Sequence, residues 1–322
     1  MMGRRVAGAA AAVLCTALSA PAAPTSAASG LPAGALAVDR DGAFHTWWRS
    51  ERAPVRWTAP SPEMARAIAW QPVARGIDWG SMRLAGRGEA WRIRVMVVRI
   101  DPRQVRFRLD TAFRGAGLAA DWSVRRAPAD ARVAFNAGQF SQSMPWGWVV
   151  LDGQQFLSPG HGPLSTAVVF DSSGAVRWIP GDSLAARPPG VDAAFQSYPT
   201  LLTGDGDVPT PLQAPVSGPG AIDLGHRDAR LALGELRDGR LLIVLTRFDA
   251  LDGAMDFVPF GLTTPEMAAL MGALGCRKAV ALDGGISSQL LVRDDGGHTH
   301  EWRGVRKVPL GLVVVPRAST GP

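Results

Sequence analysis

Arg92-Ile93-Arg94-Val95-Met96-Val97-Val98-Arg99-Ile100-Asp101-Pro102-Arg103-Gln104-Val105-Arg106-Phe107-Arg108-Leu109 decides the fold class of this chain. Ile93, Val95 and Val97 alternate with Arg92, Arg94 and Met96, and Val105, Phe107 and Leu109 repeat the period of two. Successive side chains of a strand point to opposite faces, so the stretch predicts two half-buried strands joined by a turn at Asp101–Pro102. The same pattern recurs outward from it. Trp148–Leu151 and Gln154–Leu157 flank Asp152–Gly153, and Arg230–Glu235 and Arg240–Thr246 flank Asp238–Gly239. Asp-Gly supplies the positive φ that tight hairpins need, so both pairs predict hairpins. Thr166–Phe170 and Ala175–Trp178 flank Asp171-Ser172-Ser173-Gly174 and predict another. Pro188 to Gly220 is rich in chain breakers and reads as an irregular loop over one face.

Two helices are predicted. Ser61, Pro62 and Glu63 start a short one. Thr264 caps a longer one that begins Pro265-Glu266 and ends at Gly275; Met267, Leu270, Met271 and Leu274 form a stripe facing a sheet. Ala279-Val280-Ala281-Leu282 follows as a short, fully buried strand. Strands do not alternate regularly with helices, which argues against a doubly wound fold. The expected class is α+β: a single strand-rich domain with mixed, largely antiparallel sheets and a few helices.

Of the 322 residues, 47% are hydrophobic, enough for a large core, and the 37 glycines and 25 prolines fit short strands and turns. Net charge is +6, and Lys278 and Lys307 are the only lysines. No basic run, zinc-finger spacing or aromatic RNA-binding motif occurs, so no nucleic-acid partner is expected. Residues 1–28 read as a signal peptide: Arg4 and Arg5, the apolar run Val6 to Leu18, then small residues through Ala27 and Ala28. A run of about 13 residues is too short to span a bilayer. The expectation is therefore an exported protein, secreted or envelope-associated, not inserted in the membrane once the leader is cut. Residues 29–75 read as an N-terminal arm packed on a main domain at 76–317. Cys276, alone after leader removal, reads as a buried structural thiol.

Three segments carry candidate chemistry. Leu282-Asp283-Gly284-Gly285-Ile286-Ser287-Ser288-Gln289 puts a carboxylate at the end of a buried strand, with two glycines that let backbone approach a ligand and two hydroxyls after them. The plainer reading is an Asp-Gly turn. Phe135-Asn136-Ala137-Gly138-Gln139-Phe140 follows another strand-like run; its Asn amide suits sugar hydroxyls, or simply a turn. Arg230 opens a strand, where a guanidinium fork suits a phosphate, or else is a solvated edge residue. His298-Thr299-His300 lacks a third metal ligand at recognisable spacing, so no metal or other cofactor is expected. Gly285-Ile286-Ser287-Ser288-Gln289 lacks the last glycine of a nucleophile elbow.

Taken in order, these segments resemble the phosphodiester glycosidase family. Asn136, Gly138 and Phe140 match its first motif, and Pro145, Gly147, Asp152 and Gly153 its hairpin. Arg230, Ala232 and Gly234 match the third; Leu282, Asp283, Gly284, Gly285, Ser287 and Ser288 match the last. The resemblance runs from about Gly76 to Val315. Ala137, Gln139 and Ile286 depart from the pattern, as does Thr246-Arg247-Phe248 where the family has Asp-Gly-Arg. The resemblance implies a hydrolase that cleaves a sugar from a sugar-1-phosphodiester in a cell-envelope or extracellular glycan. Asp283 would stabilise charge at the anomeric carbon, and Arg230 would hold the phosphodiester. Asn136, Gly138, Phe140, Gly284, Gly285, Ser287 and Ser288 would bind substrate. A second carboxylate is not identifiable; Glu235 is the candidate, with Asp152 behind it. Two other readings stand beside this one: a non-catalytic module that binds envelope polysaccharide through tryptophans such as Trp146 and Trp148, and a metal-dependent phosphodiesterase.

Overall fold

The Asp-Gly turns close where left-handed backbone is supplied. Asp152 (φ 45°) and Gly153 (φ 75°) join Val149–Leu151 to Gln154–Leu157. Gly239 (φ 83°) turns the chain between Leu231–Leu236 and Leu241–Phe248. The computed structural model describes residues 30–112, 120–162, 164–184, 188–214, 223–250, 255, 258 and 260–317. The leader at 1–28 lies outside the described residues.

The described strands form three main sheets, and every described pairing is antiparallel. A nine-stranded sheet runs Thr200–Leu202, Cys276–Ala281, Leu231–Leu236, Leu241–Phe248, Ile93–Ile100, Ile77–Ala85, Ala35–Arg40, Ala43–Arg49, with Gln71–Ala74 also pairing Ile77–Ala85. A second sheet runs Gln154–Leu157, Val149–Leu151, Ala193–Ser197, Thr166–Phe170, Val176–Pro180. The third runs Thr299–Trp302, Leu290–Arg293, Val133–Asn136, Leu310–Pro316, Val105–Thr111. All three contribute to one apolar core. Leu231, Leu233, Ile243 and Val280 come from the large sheet, Phe170 and Phe195 from the second, Phe135 and Leu312 from the third. Burying this apolar surface, at about 25 cal/mol per Å², is what holds the sheets together.

Several expectations are corrected. Strand Ile93–Ile100 is buried on both faces: Val95 and Val97 enter the core under the helix, while Met96, Val98 and Ile100 enter the core between the sheets. The described part of the stretch expected as an irregular loop, 188–214, holds regular structure: Ala193–Ser197 is the middle strand of the second sheet and Thr200–Leu202 edges the large one. Both are too short and too evenly buried to show a period. Residues 35–74 are more than a packed arm, since Ala37 and Val38 pair with Ala85 and Leu84 and extend the large sheet.

The long helix, Thr264–Ala273, is capped by Thr263 rather than Thr264. Thr263 Oγ1 accepts from the Glu266 N–H at 3.3 Å while Glu266 Oε2 accepts from the Thr263 N–H at 2.9 Å, a reciprocal capping box. It shows no single stripe, because it is covered on both sides. The large sheet lies beneath it, and Trp57 packs on Gly272 so closely that a Cβ there would fall 2.2 Å from the indole. Among the described residues no helix is long and apolar enough to cross a membrane.

Candidate active site

Residues 282–289 cross from one sheet to another. The strand Cys276–Ala281 belongs to the large sheet, and after a tight helical turn at Gly285–Ser287 the chain enters Leu290–Arg293 of the third. Asn136 ends the neighbouring strand Val133–Asn136 and is fully buried. Its Nδ2 donates to Asp283 O at 2.6 Å and its Oδ1 accepts from the Gln289 N–H at 2.9 Å. One side-chain amide thus holds both ends of the loop. Both polar atoms of the side chain are bonded to backbone, so Asn136 holds the shape of the loop.

The glycines of the loop allow a close approach to the segment before Arg230. Gly285 N–H donates to Ala229 O at 2.8 Å, and a Cβ on Gly284 would sit 2.9 Å from that same oxygen. Gly285 (φ 60°) leaves room for Asp228, whose Oδ2 lies 2.7 Å from where a Cβ would be. The far side is braced by Arg247, buried in the large sheet, which donates to Ser288 O and, at 2.9 Å, to Arg303 O. The N–H groups of Val305 and Arg306 both donate to Ile286 O, at 2.8 and 3.0 Å.

Two carboxylates meet here. Burial pushes the Asp283 carboxyl up from 3.8 to about 7; a hydrogen bond from Ser287 and the nearby Arg306 pull against this, and the charge of Asp228 adds to it. Asp283 Oδ2 is buried without a hydrogen-bond partner, as is the hydroxyl of fully buried Ser288. Such unmet polar atoms cost stability unless a ligand or water answers them. Burial also raises Asp228, opposed by Arg230, the Ala229 N–H, His226 and Arg247. Neighbouring carboxyls whose titration is perturbed by burial are a usual mark of acid–base chemistry.

The phosphodiester glycosidase family model matches residues 129–315, more than half of the chain. The chain belongs to the phosphodiester glycosidase family. Its fold resembles the catalytic domain of zebrafish N-acetylglucosamine-1-phosphodiester alpha-N-acetylglucosaminidase auto-inhibited by its pro-peptide. That match has a TM-score of 0.57 and 16% identity, covering 83% of this chain and 94% of the other. A hypothetical protein from Synechocystis aligns with TM-score 0.51 and 17% identity, over 89% of this chain and 69% of its own. No curated protein sequence matches the chain. The family acts as hydrolases on phosphodiester-linked sugars, and the strand-rich antiparallel architecture agrees with the fold of that glycosidase.

Among the phosphodiester glycosidase motif residues, Asp283, Gly284, Gly285, Ser287, Ser288 and Asn136 lie together. Gly138 is fixed by close packing, since a Cβ would come 2.5 Å from Gln196 O. Phe140 lies at the rim under the Arg306 guanidinium, 4.6 Å from its ring centroid. Arg230 is next to Asp228, but its Nε donates to Leu262 O at 2.9 Å and its Nη2 to His226 O, so it braces the segment before the strand. Glu235 is set apart. Leu231 O receives the Leu282 N–H, whereas Glu235 pairs across the sheet with Lys278, about 13 Å further along the strand. Its carboxylate is held by Arg277, whose Nε donates at 2.8 Å. Asp152 is a hairpin-tip residue.

The two tryptophans part company. Trp148 is buried, with Nε1 bonded to Gln155 at 3.1 Å, whereas half-buried Trp146 packs edge-on against Tyr198 at 4.5 Å. Gln139 carries that pair to the site, its Nε2 donating to Tyr198 O and Leu282 O. His298 and His300 pack ring against ring at 4.8 Å, and among the described residues no three His, Cys, Asp or Glu side chains group as a metal site. Asp228, Arg247 and Arg306 are the site residues that sequence reasoning missed. Asp228 stands two residues before Arg230, and that proximity was the only available signal.

Proposed function

We propose that the protein hydrolyses a sugar-1-phosphodiester of a cell-envelope or extracellular glycan, acting outside the membrane as the leader sequence implies. The observation that carries this reading is the pair of part-buried carboxyls, Asp283 and Asp228, at the loop that bears the family's last motif. Water forms the new bond to the anomeric carbon as the bond to the phosphate oxygen breaks. The phosphate leaves with the electron pair and needs little protonation. The Asp283 carboxylate faces the positive charge that builds on the sugar, and Asp228 takes the proton of the attacking water. Ser287 orients Asp283, and the edge-on Trp146–Tyr198 pair offers an aromatic wall for the sugar.

A panel of sugar-1-phosphodiesters, with product analysis, tests the reaction. Release of free sugar supports it; release of sugar phosphate would replace it with P–O cleavage, and binding without turnover with a lectin-like module. The carboxylate pair carries its own signature. Activity is expected to rise with pH through about 7, as Asp283 loses its proton. Asp228→Asn removes the neighbouring negative charge, so the rise should move to lower pH while the maximum falls on the order of a hundredfold. An unmoved profile would separate the two carboxyls.

A further inference from the structure

We propose that Arg306, seated on the ring of Phe140, is the residue that grips the phosphate of the substrate at the mouth of the site. The proposal rests on the phosphodiester reading above and assigns the group that reading leaves open.

Four guanidinium or ammonium groups lie near this end of the loop segment, and their partners differ. Arg303 pairs with Glu301 at 2.8 Å and Lys307 with Asp121, so both are neutralised. Arg247 lies in the core and donates to Ser288 O and Arg303 O. Arg306 is exposed, and among the described residues no carboxylate forms an ion pair with it. Its partner is instead an aromatic face, Phe140, at 4.6 Å. It still lies close enough to Asp283 for its charge to favour that carboxylate. Arg230 spends its Nε and Nη2 on backbone carbonyls.

This arrangement suits an anion. A guanidinium on an aromatic ring keeps its N–H edges free, loses little freedom when it binds, and matches two phosphate oxygens with a planar fork. The main chain fixes its place, because the Arg306 N–H bonds Ile286 O of the motif loop. A phosphate held there would sit beside Asp283, with the sugar toward the carboxylates and the remaining ester toward solvent. As the bond to the anomeric carbon breaks, the electron pair moves onto the phosphate oxygen and the leaving group gains a second negative charge. Arg306 meets that charge, so the interaction strengthens in the transition state.

The test uses full-length protein and Arg306→Gln, Arg306→Lys and Asp283→Asn. First, melting is followed with inorganic phosphate and with phenyl phosphate, against chloride at equal ionic strength. Both phosphates should stabilise the wild type and Asp283→Asn, should not stabilise Arg306→Gln, and should act weakly on Arg306→Lys, which keeps the charge and loses the fork. Equal stabilisation of wild type and Arg306→Gln, or none of either, overturns the assignment whatever the turnover assays give. Second, at a pH well above the titration of Asp283, so that its carboxylate is ionised in every variant, kcat/KM is compared on a sugar-1-phosphodiester and on the 4-nitrophenyl glycoside of the same sugar. Arg306→Gln should lose on the order of a hundredfold on the phosphodiester and less than about threefold on the neutral glycoside. An equal loss on both would mean that Arg306 only supports the loop. A wild type that binds phosphate yet cleaves neither substrate would retire the hydrolase reading and leave the anion site standing.

Discussion

Asp283→Asn is expected to lower turnover at least a hundredfold, about 3 kcal/mol of barrier, while making the protein harder to melt at pH 8. The two effects share one cause. From sequence alone the substitution would be nearly neutral for stability, since Asp and Asn both suit turns. Burial changes that expectation. A carboxyl whose pKa is raised from 3.8 to about 7 in the folded protein is protonated in both states below about pH 4 and costs nothing there. Between 4 and 7 the unfolded chain ionises first, so folding loses stability as pH rises. Above 7 the full penalty, on the order of 4 kcal/mol, is in place. Asn carries no charge at any pH and escapes it. The variant should melt several degrees higher than wild type at pH 8 and about level with it at pH 4. Its substrate affinity should change little, because the charge Asp283 faces exists only in the transition state. Near-normal turnover would remove Asp283 from the chemistry, and equal melting at both pH values would remove the buried charge.

Asn136→Ala should be the most destabilising single change at the site, at about 3 kcal/mol. It strands Asp283 O and the Gln289 N–H inside the protein, each costing about 1–3 kcal/mol when unpaired. Turnover should fall as well, because the carboxylate is no longer held in place. Denaturant unfolding and kcat on the one variant decide between the two roles open to this residue. A sugar ligand would raise KM and leave stability within about 0.5 kcal/mol, as surface changes usually do. A staple would lower stability and kcat together.

How far the sequence could be read follows from which interactions are local. The hairpins at Asp152–Gly153 and Asp238–Gly239 were legible because two adjacent residues specify the turn. The helix end at Gly275 was legible for the same reason, while its cap slipped by one residue because Thr263 and Thr264 both suit the position. The strand Ala193–Ser197 was not, since five residues buried on both faces carry no alternation. Asp283 stood out through the glycines that follow it. Its companion did not: Asp228 and Glu235 flank the same arginine, and only the pairing of Glu235 with Lys278 and of Leu231 with Leu282 shows which one turns toward the site. The role of Asn136 was equally hidden, because its partners lie 147 and 153 residues away.

The motif loop spans two sheets and is tied to each. The Gly285 amide is bonded to Ala229 beside the large sheet, and the Gln289 amide to Asn136 of the third. A loop of this length would ordinarily fray by itself and trade its amide protons with solvent quickly. Here each proton exchanges only when its end of the loop lets go of the sheet that holds it. Deuterium uptake at Gly285 therefore times the release of the loop from the large sheet, uptake at Gln289 its release from the third, and a ligand that seats itself on the loop should slow both positions.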